Sequence, residues 1–412
     1  MPLEMPPGQS YSRNMEAIGY IDLQGKPAFK LAIHRHGERW YLYTACLWHP
    51  GFHISDITDP RRPRLLRHIP GPPNTWTLQV QIAEGRMITS QERIPPGWGD
   101  QPGPYGEGFV IWDLADPEDP KALGHFKTGG AGTHRNYYDG GRYVYATGLP
   151  RGYEGHILQI VDIDDPTRPV EVSRWWRPGQ WIEGGESGTP KDTLLHGGGY
   201  VRGERAYLPY GGGGFVILDI SDKKKPTMVS DLPFSPPFQS FIAVHTAQPL
   251  TRRKLVVVNS EAIVENCDEP LGYAGIVDIK DETKPRLMSL FPLPRPPEGA
   301  PYRNFCEKGG RFGPHNQHQW QYQGVLEHDE DLVYLTYFNA GLRVFDISDE
   351  RLPREIAYFI PPDPGERFGL LPKTRLVCQT EDVLVDARGN IYISDKNHGI
   401  YILRLDRAAA GI

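Results

Sequence analysis

The chain has 412 residues, a formal net charge of −6 and 39% hydrophobic residues, enough apolar content for a packed core and too much for a disordered tail. Its 46 glycines and 40 prolines exclude an all-helical fold, because proline inside a helix removes a backbone donor and collides with the preceding turn. The interspersed charges form no basic stripe for nucleic acid, and no apolar run approaches the roughly eighteen residues of a membrane-crossing helix.

Residues 1–12 do not combine a basic patch with an apolar run, so no signal peptide is expected. The four cysteines, Cys46, Cys267, Cys306 and Cys378, are scattered without a C-x-x-C pair. Free thiols in a reducing cytoplasm are expected.

In chain order, the first element is a strand over residues 15–23 that lacks neighbours of its own. A pattern Asp-[Ile/Leu]-x-Asp-x-x-x-Pro then begins at Asp56, Asp113, Asp162, Asp219, Asp278 and Asp346, at intervals of 49 to 68 residues. A short apolar strand precedes each copy and another follows it. Around Asp162 the whole unit is visible: strands at 133–138, 143–147, 156–161 and 169–175, with Asp139-Gly-Gly as the first turn. The aspartates and proline of the pattern supply the acceptors and the fixed φ that a turn needs.

Four-stranded antiparallel units of about fifty residues are propeller blades. Blades are expected at about 29–70, 76–127, 131–177, 194–234, 241–292, 315–360 and 378–406. In the last, Arg404 replaces the repeat aspartate, and strand 15–23 supplies the missing fourth strand, removing two sheet edges. The expected fold is an all-β, seven-bladed β-propeller forming one domain over 1–412. Gly214-Phe-Val-Ile-Leu-Asp-Ile-Ser-Asp and Gly341-Leu-Arg-Val-Phe-Asp-Ile-Ser-Asp resemble the LVIVD-repeat propellers, a likeness that covers nearly the whole chain and speaks to fold rather than chemistry.

Insertions collect on one face, at 93–107, 178–195, 261–273, 294–314 and 361–376. Loops of such length in a compact domain point to function. The inner strands begin at that face, and their first residues are His134, His196, His245 and Glu381, with His315 and His318 at the start of the longer sixth unit. Repetition at one blade position favours a shared metal over isolated structural histidines. His134, His196, His245, His315 and His318 are the expected ligands, for iron, copper, zinc or manganese. A buried polar network around axial water, or an anion site using Arg135 and Arg303, are the alternatives. Glu381, Arg135 and Tyr137 are the expected catalytic residues, Glu381 as general base, fifth ligand or orienting partner. His49, His53 and His398, each alone, read as loop-face lining, and Cys378 as a packed thiol.

Propellers that resemble selenium-binding proteins and methanethiol oxidases line the axis with histidines, and carotenoid-cleaving oxygenases hold iron with four. By that architectural resemblance the chain is expected to be a metal-dependent oxidoreductase or oxygenase. A metal-dependent hydrolase or lyase and a non-enzymatic protein-binding scaffold are the alternatives. Trp76, Trp98, Tyr105, Tyr137, Trp176, Trp181 and Trp320 suggest a small aromatic or terpenoid substrate under an aromatic lid. No nucleic-acid or membrane partner is expected, and a homo-oligomer is.

Overall fold

The computed structural model describes residues 5–189, 192–234, 240–270 and 272–412. It divides into two compact units, one made of Met1–Pro70, Ala262–Ala274 and Ser289–Ile412, the other of Gly71–Glu261 and Gly275–Met288. Helix is confined, among the described residues, to the short segments Glu265–Cys267, Phe305–Lys308 and Arg407–Ala410. None is long and apolar enough to cross a membrane.

The second unit is a series of four-stranded antiparallel sheets. The one around Asp162 runs Gly130–Tyr137, Tyr143–Pro150, Ile157–Asp162 and Val170–Trp175, within a residue of the sequence expectation on the last two strands, starting three residues earlier on the first and ending three later on the second. Its neighbour in sequence, Val80–Ala83, Arg86–Arg93, Gly108–Asp113 and Lys121–Phe126, joins it through the Gly132↔Glu92 pairing. Phe109, Ile111, Phe126, Val144, Ala146 and Val161 form the shared core between the two.

In the first unit, Met15–Ile21 pairs antiparallel with Gly399–Leu405, Met15 opposite Leu405 and Ile21 opposite Ile400. The strand near the N-terminus therefore completes the last sheet as expected. A further strand not anticipated from sequence, Tyr11–Arg13, pairs with Arg354–Ile360.

The repeat explains itself chemically. In all six copies the first aspartate accepts a hydrogen bond from the backbone N–H two residues on: Asp56 from Thr58, Asp113 from Ala115, Asp162 from Asp164, Asp219 from Ser221, Asp278 from Lys280 and Asp346 from Ser348. The second aspartate repeats this, for example Asp59 with Arg61 and Asp349 with Arg351. Each half of the motif is an Asx-turn, the side chain standing in for a backbone acceptor.

One expectation is corrected here. Cys267 and Cys306 form a disulfide with Cα atoms 5.4 Å apart, so only Cys46 and Cys378 are free thiols, both buried. The bridge joins two of the insertions, 261–273 and 294–314, whose sequence separation of 39 residues hid the pairing. A third insertion is tied to them by Glu265, which accepts from the backbone N–H of Lys373 and Thr374. These loops are a cross-linked cap. Residue 271, and residues 190 and 191 of the insertion 178–195, lie outside the described residues.

Candidate metal centre

In three inner strands the residue expected to face the axis falls in a break of the ladder. Thr133 pairs with Gly148 and Arg135 with Thr147, leaving His134 as the extra residue. Ile242 pairs with Glu261 and Thr246 with Asn259, with His245 in the irregular stretch between. Glu381 lies between Thr380, opposite Asp395, and Asp382, opposite Ser394. A bulge of this kind re-aims one side chain and is common beside active sites. His196 precedes its strand and is fixed by its own N–H to the Pro209 carbonyl, 3.0 Å. At Gly197 a Cβ would lie 1.8 Å from the His245 carbonyl oxygen, so only glycine lets these two segments approach.

The result, all within the second unit, is a line of four imidazoles. Ring centroids are 5.3 Å apart for His156–His134, 4.7 Å for His134–His196 and 4.9 Å for His196–His245. A carboxylate stands at each end. Glu92 lies 2.6 Å from His134 Nδ1 through Oε2 and 2.6 Å from His156 Nε2 through Oε1. Glu261 Oε2 lies 3.6 Å from His245 Nε2 and 3.8 Å from His196 Nε2.

Burial of Glu92 favours its neutral form, but the two imidazoles outweigh this and hold the carboxyl down to about 2. As an anion it only accepts, so His134 Nδ1 and His156 Nε2 carry the protons. That assignment leaves the lone pairs on His134 Nε2 and His156 Nδ1. Burial also holds His134 below the ordinary histidine value, with Glu92 opposing. His196 is held well below it, first by burial and then by the neighbouring His134, His245 and Arg135. Burial thus favours the neutral form of His134 and His196, the form that binds metal.

Arg135, buried, reaches His245 Nε2 with its Nη2 at 3.5 Å, while His245 Nδ1 contacts Thr246 Oγ1 at 2.7 Å. Accepting from arginine at Nε2 fixes the proton of His245 on Nδ1. Exposure decides the open side: the side chains of His134, His156 and His196 are 11–12% exposed and that of His245 is sealed. Trp76 lies beside His134 at 6.4 Å between ring centroids, and Trp98 meets Trp76 edge-on at 5.9 Å. Trp176 and Trp181 instead cluster with Tyr153, at 5.2 Å and 6.4 Å.

The expected residues fall in both units. His134, His196, His245 and Arg135 come together. Tyr137 does not join them: its hydroxyl lies 3.2 Å from both Asp139 Oδ2 and the Val201 carbonyl, and its ring packs on Tyr200. His315, His318 and Glu381 belong to the first unit. His318 has both nitrogens engaged, Nε2 donating to the Glu327 carbonyl and Nδ1 accepting from Val385 N–H. His315 Nδ1 faces two oxygens of Glu381, the carbonyl at 3.0 Å and Oε2 at 3.2 Å. Glu381 also forms an ion pair with Lys396. Trp320 is buried against His318 and His328. Arg303 pairs with Glu307 on the surface. Burial pushes the Cys378 thiol up to about 12 despite the Lys308 ammonium 3.1 Å away, as a packed thiol requires.

Three members of the cluster escaped the sequence reading: Glu92, His156 and Glu261. Two were legible in principle. Ser90 is held opposite Gln79 and Asn259 opposite Thr246, one step inside the axial position, and Glu92 and Glu261 each follow two residues later. His156 precedes a third strand, where no repetition marks it.

The donor set fits a transition metal. Imidazole with carboxylate support suits iron, copper, zinc or manganese, and Glu92 oriented by two ring N–H groups is the outer partner that metal-bound histidines commonly have. Two buried ring nitrogens, His156 Nδ1 and His196 Nδ1, have no hydrogen-bond partner, which in a packed interior marks atoms kept for something else.

Comparison with known proteins agrees with the fold. Residues 154–175 and 200–232 match the LVIVD-repeat model, so the chain carries LVIVD repeats. Among solved structures it is similar to the β-propeller domain of Myceliophteria thermophila Cps50 (Swd1), at 10% identity and TM-score 0.56, covering 93% of this chain and 97% of that one. It is similar to a hypothetical selenium-binding protein from Sulfolobus tokodaii, at 13% identity and TM-score 0.55, covering 90% and 84%. A computationally designed protein, Ika8, aligns at 9% identity and TM-score 0.50 over 94% and 98%. No curated protein sequence matches the chain. The fold is a β-propeller; at these identities the likeness carries nothing further.

Proposed function

We propose that the protein is a metal-dependent enzyme that acts on a small organic molecule at the His134–His156–His196–His245 cluster, as an oxidoreductase or oxygenase. The observation that carries this is the unbroken line of four imidazoles with a carboxylate at each end and two buried ring nitrogens without partners. His134, His156 and His196 would hold the ion with His245 behind them, and Glu92 and Glu261 set ring orientation and offset its charge. A bound iron or copper ion supplies electron exchange with the substrate or dioxygen.

The chain's own residues do the rest. Trp76 and Trp98 offer an apolar wall on the side where His134 is reachable, suited to an aromatic or terpenoid substrate. Arg135, held at His245, places a buried positive charge beside the cluster. A hydrolase or lyase using zinc or manganese is the second reading, and Glu92 and Glu261 favour it, because oxygen ligands suit such ions.

Metal analysis of the purified full chain tests the proposal. About one transition-metal equivalent is expected at this cluster, lost in His196→Ala and kept in His125→Ala, which removes an exposed imidazole bonded only to the Glu107 carbonyl. Equal metal content in wild type and His196→Ala sinks it; the identity of the metal separates the two chemistries. A cytoplasmic setting belongs to the same proposal, and the Cys267–Cys306 bridge argues against it, since such bridges persist in oxidising compartments. Thiol titration of denatured, unreduced protein decides: two thiols for the bridged form, four for the reduced one.

A further inference from the structure

A second group of metal-ligating side chains lies in the first unit, in the sheet of Arg39–Cys46, Gly51–Asp56 and Arg64–Pro70. His53 stands directly opposite Thr44 on one side and His68 on the other. Cys46, two residues beyond Thr44, points to the same face of the pleat as His53. Cys46 Sγ lies 3.2 Å from His53 Nδ1, and the His53 and His68 rings are 4.6 Å apart. One ligand atom from each of the three falls within 4.8 Å of the others.

Cys46 and His53 are completely buried. Two ring nitrogens here, His53 Nε2 and His68 Nε2, are buried without hydrogen-bond partners. His68 is bonded to the Pro50 carbonyl; with Nε2 unpartnered, that bond is made by Nδ1–H, which leaves the Nε2 lone pair free to coordinate. A third imidazole, His49, is close enough to act electrostatically on both His53 and His68, and its Nδ1 too is buried without a partner. A packed core gains nothing from so many unsatisfied nitrogens.

We infer that Cys46, His53 and His68 form a zinc-type metal site, with His49 as the available fourth ligand, separate from the cluster proposed as the reaction centre. Bond lengths of about 2.3 Å to sulfur and 2.0–2.1 Å to nitrogen place tetrahedral ligands about 3.4–3.6 Å apart, so the observed spacings need only a modest closing around an ion. Burial keeps Cys46 a thiol in the metal-free state, up to about 12, and the ion would displace its proton to solvent, forming the S–metal bond. The thiolate also answers the positive charge of Lys26, which acts on Cys46, His53 and His68 alike. Two imidazoles and one thiolate favour zinc or copper over magnesium or calcium.

Cobalt(II), titrated into the full chain after metal removal and thiol reduction, reads the site directly. A near-ultraviolet thiolate-to-cobalt band is expected, saturating at one equivalent. It should vanish in Cys46→Ser, persist in Cys378→Ser and in His196→Ala, and require at least tenfold more cobalt in His68→Gln. Absence of the band in wild type, or a band of unchanged strength in Cys46→Ser, overturns the inference. Should Cys46→Ser fail to fold, His68→Gln at its half-buried position carries the test, and unchanged cobalt affinity in that variant overturns it equally. Because His196→Ala empties only the other cluster, failure here and failure there are distinguishable.

Discussion

Two stations of the scaffold have the same backbone and opposite chemistry. His245 precedes Thr246, which pairs with Asn259, and Glu261 follows two residues after Asn259. Glu381 precedes Asp382, which pairs with Ser394, and Lys396 follows two residues after Ser394. At the first station an imidazole faces a carboxylate; at the second a carboxylate faces an ammonium. The imidazole, held by Arg135 and Thr246, packs against His196 at 4.9 Å between ring centroids and so backs the imidazole line. A carboxylate pinned by Lys396 and His315 is already neutralised, and the adjoining Lys30–Asp382 pair at 2.6 Å, buried as well, continues the ion network. The position selects a buried polar side chain, and its partner decides between ligand and brace.

Substitutions can break that comparison. His196→Ala should remove the metal equivalent held at its own cluster, read by metal analysis, with the fold unchanged by circular dichroism. Glu381→Gln should leave metal content alone and destabilise the chain, by about 3–5 kcal/mol in urea unfolding, because it strands a buried ammonium. A loss of metal with little loss of stability would make Glu381 a ligand and end the distinction. Glu92→Gln keeps the shape but weakens the acceptor, and a 10–100-fold drop in metal affinity is expected in a competition titration.

Acidification sharpens it on a smaller scale. Burial holds His318 down to about 4, so from pH 6.5 to 4 the unfolded chain takes up a proton there that the folded chain refuses. Stability should fall with pH across that window, by about 1.4 kcal/mol per unit from this residue. Glu92 is depressed to about 2; its contribution, complete above about pH 4.5, is lost as pH falls below that value. Metal-free protein unfolded at several pH values checks both, and a His318→Gln chain should show the shallower slope between pH 6.5 and 4.

Much of the scaffold was legible because it repeats. Twelve aspartates in six copies announced their turns, and the strand at 15–23 could be assigned because the last sheet visibly lacked one. The site was legible only where it followed the same repeat. His134, His196 and His245 were found by position; His315, in the other unit, has its Nδ1 toward Glu381. His156 obeys no repeat. Glu92 and Glu261 do, yet a glutamate near a strand end looks like surface until the opposing strand is known. Cys267 and Cys306 meet only through loop packing that no local pattern encodes, and Cys46, His53 and His68 meet across strands whose register had to be seen.

The Asx-turns carry a consequence for how such a chain can change. Each turn has its backbone N–H groups satisfied by its own aspartates, and a side chain from another four-stranded unit adds a bond to a turn carbonyl, as Ser173 does at Lys223 and Ser230 at Glu282. The aspartate half of each turn therefore forms locally, whatever came before it. Lengthening a loop on the opposite face cannot propagate an error, and spacings of 49 to 68 residues coexist in one architecture. Locally self-sufficient punctuation is what leaves the other face at liberty to acquire cross-linked caps, aromatic walls and metal ligands independently of one another.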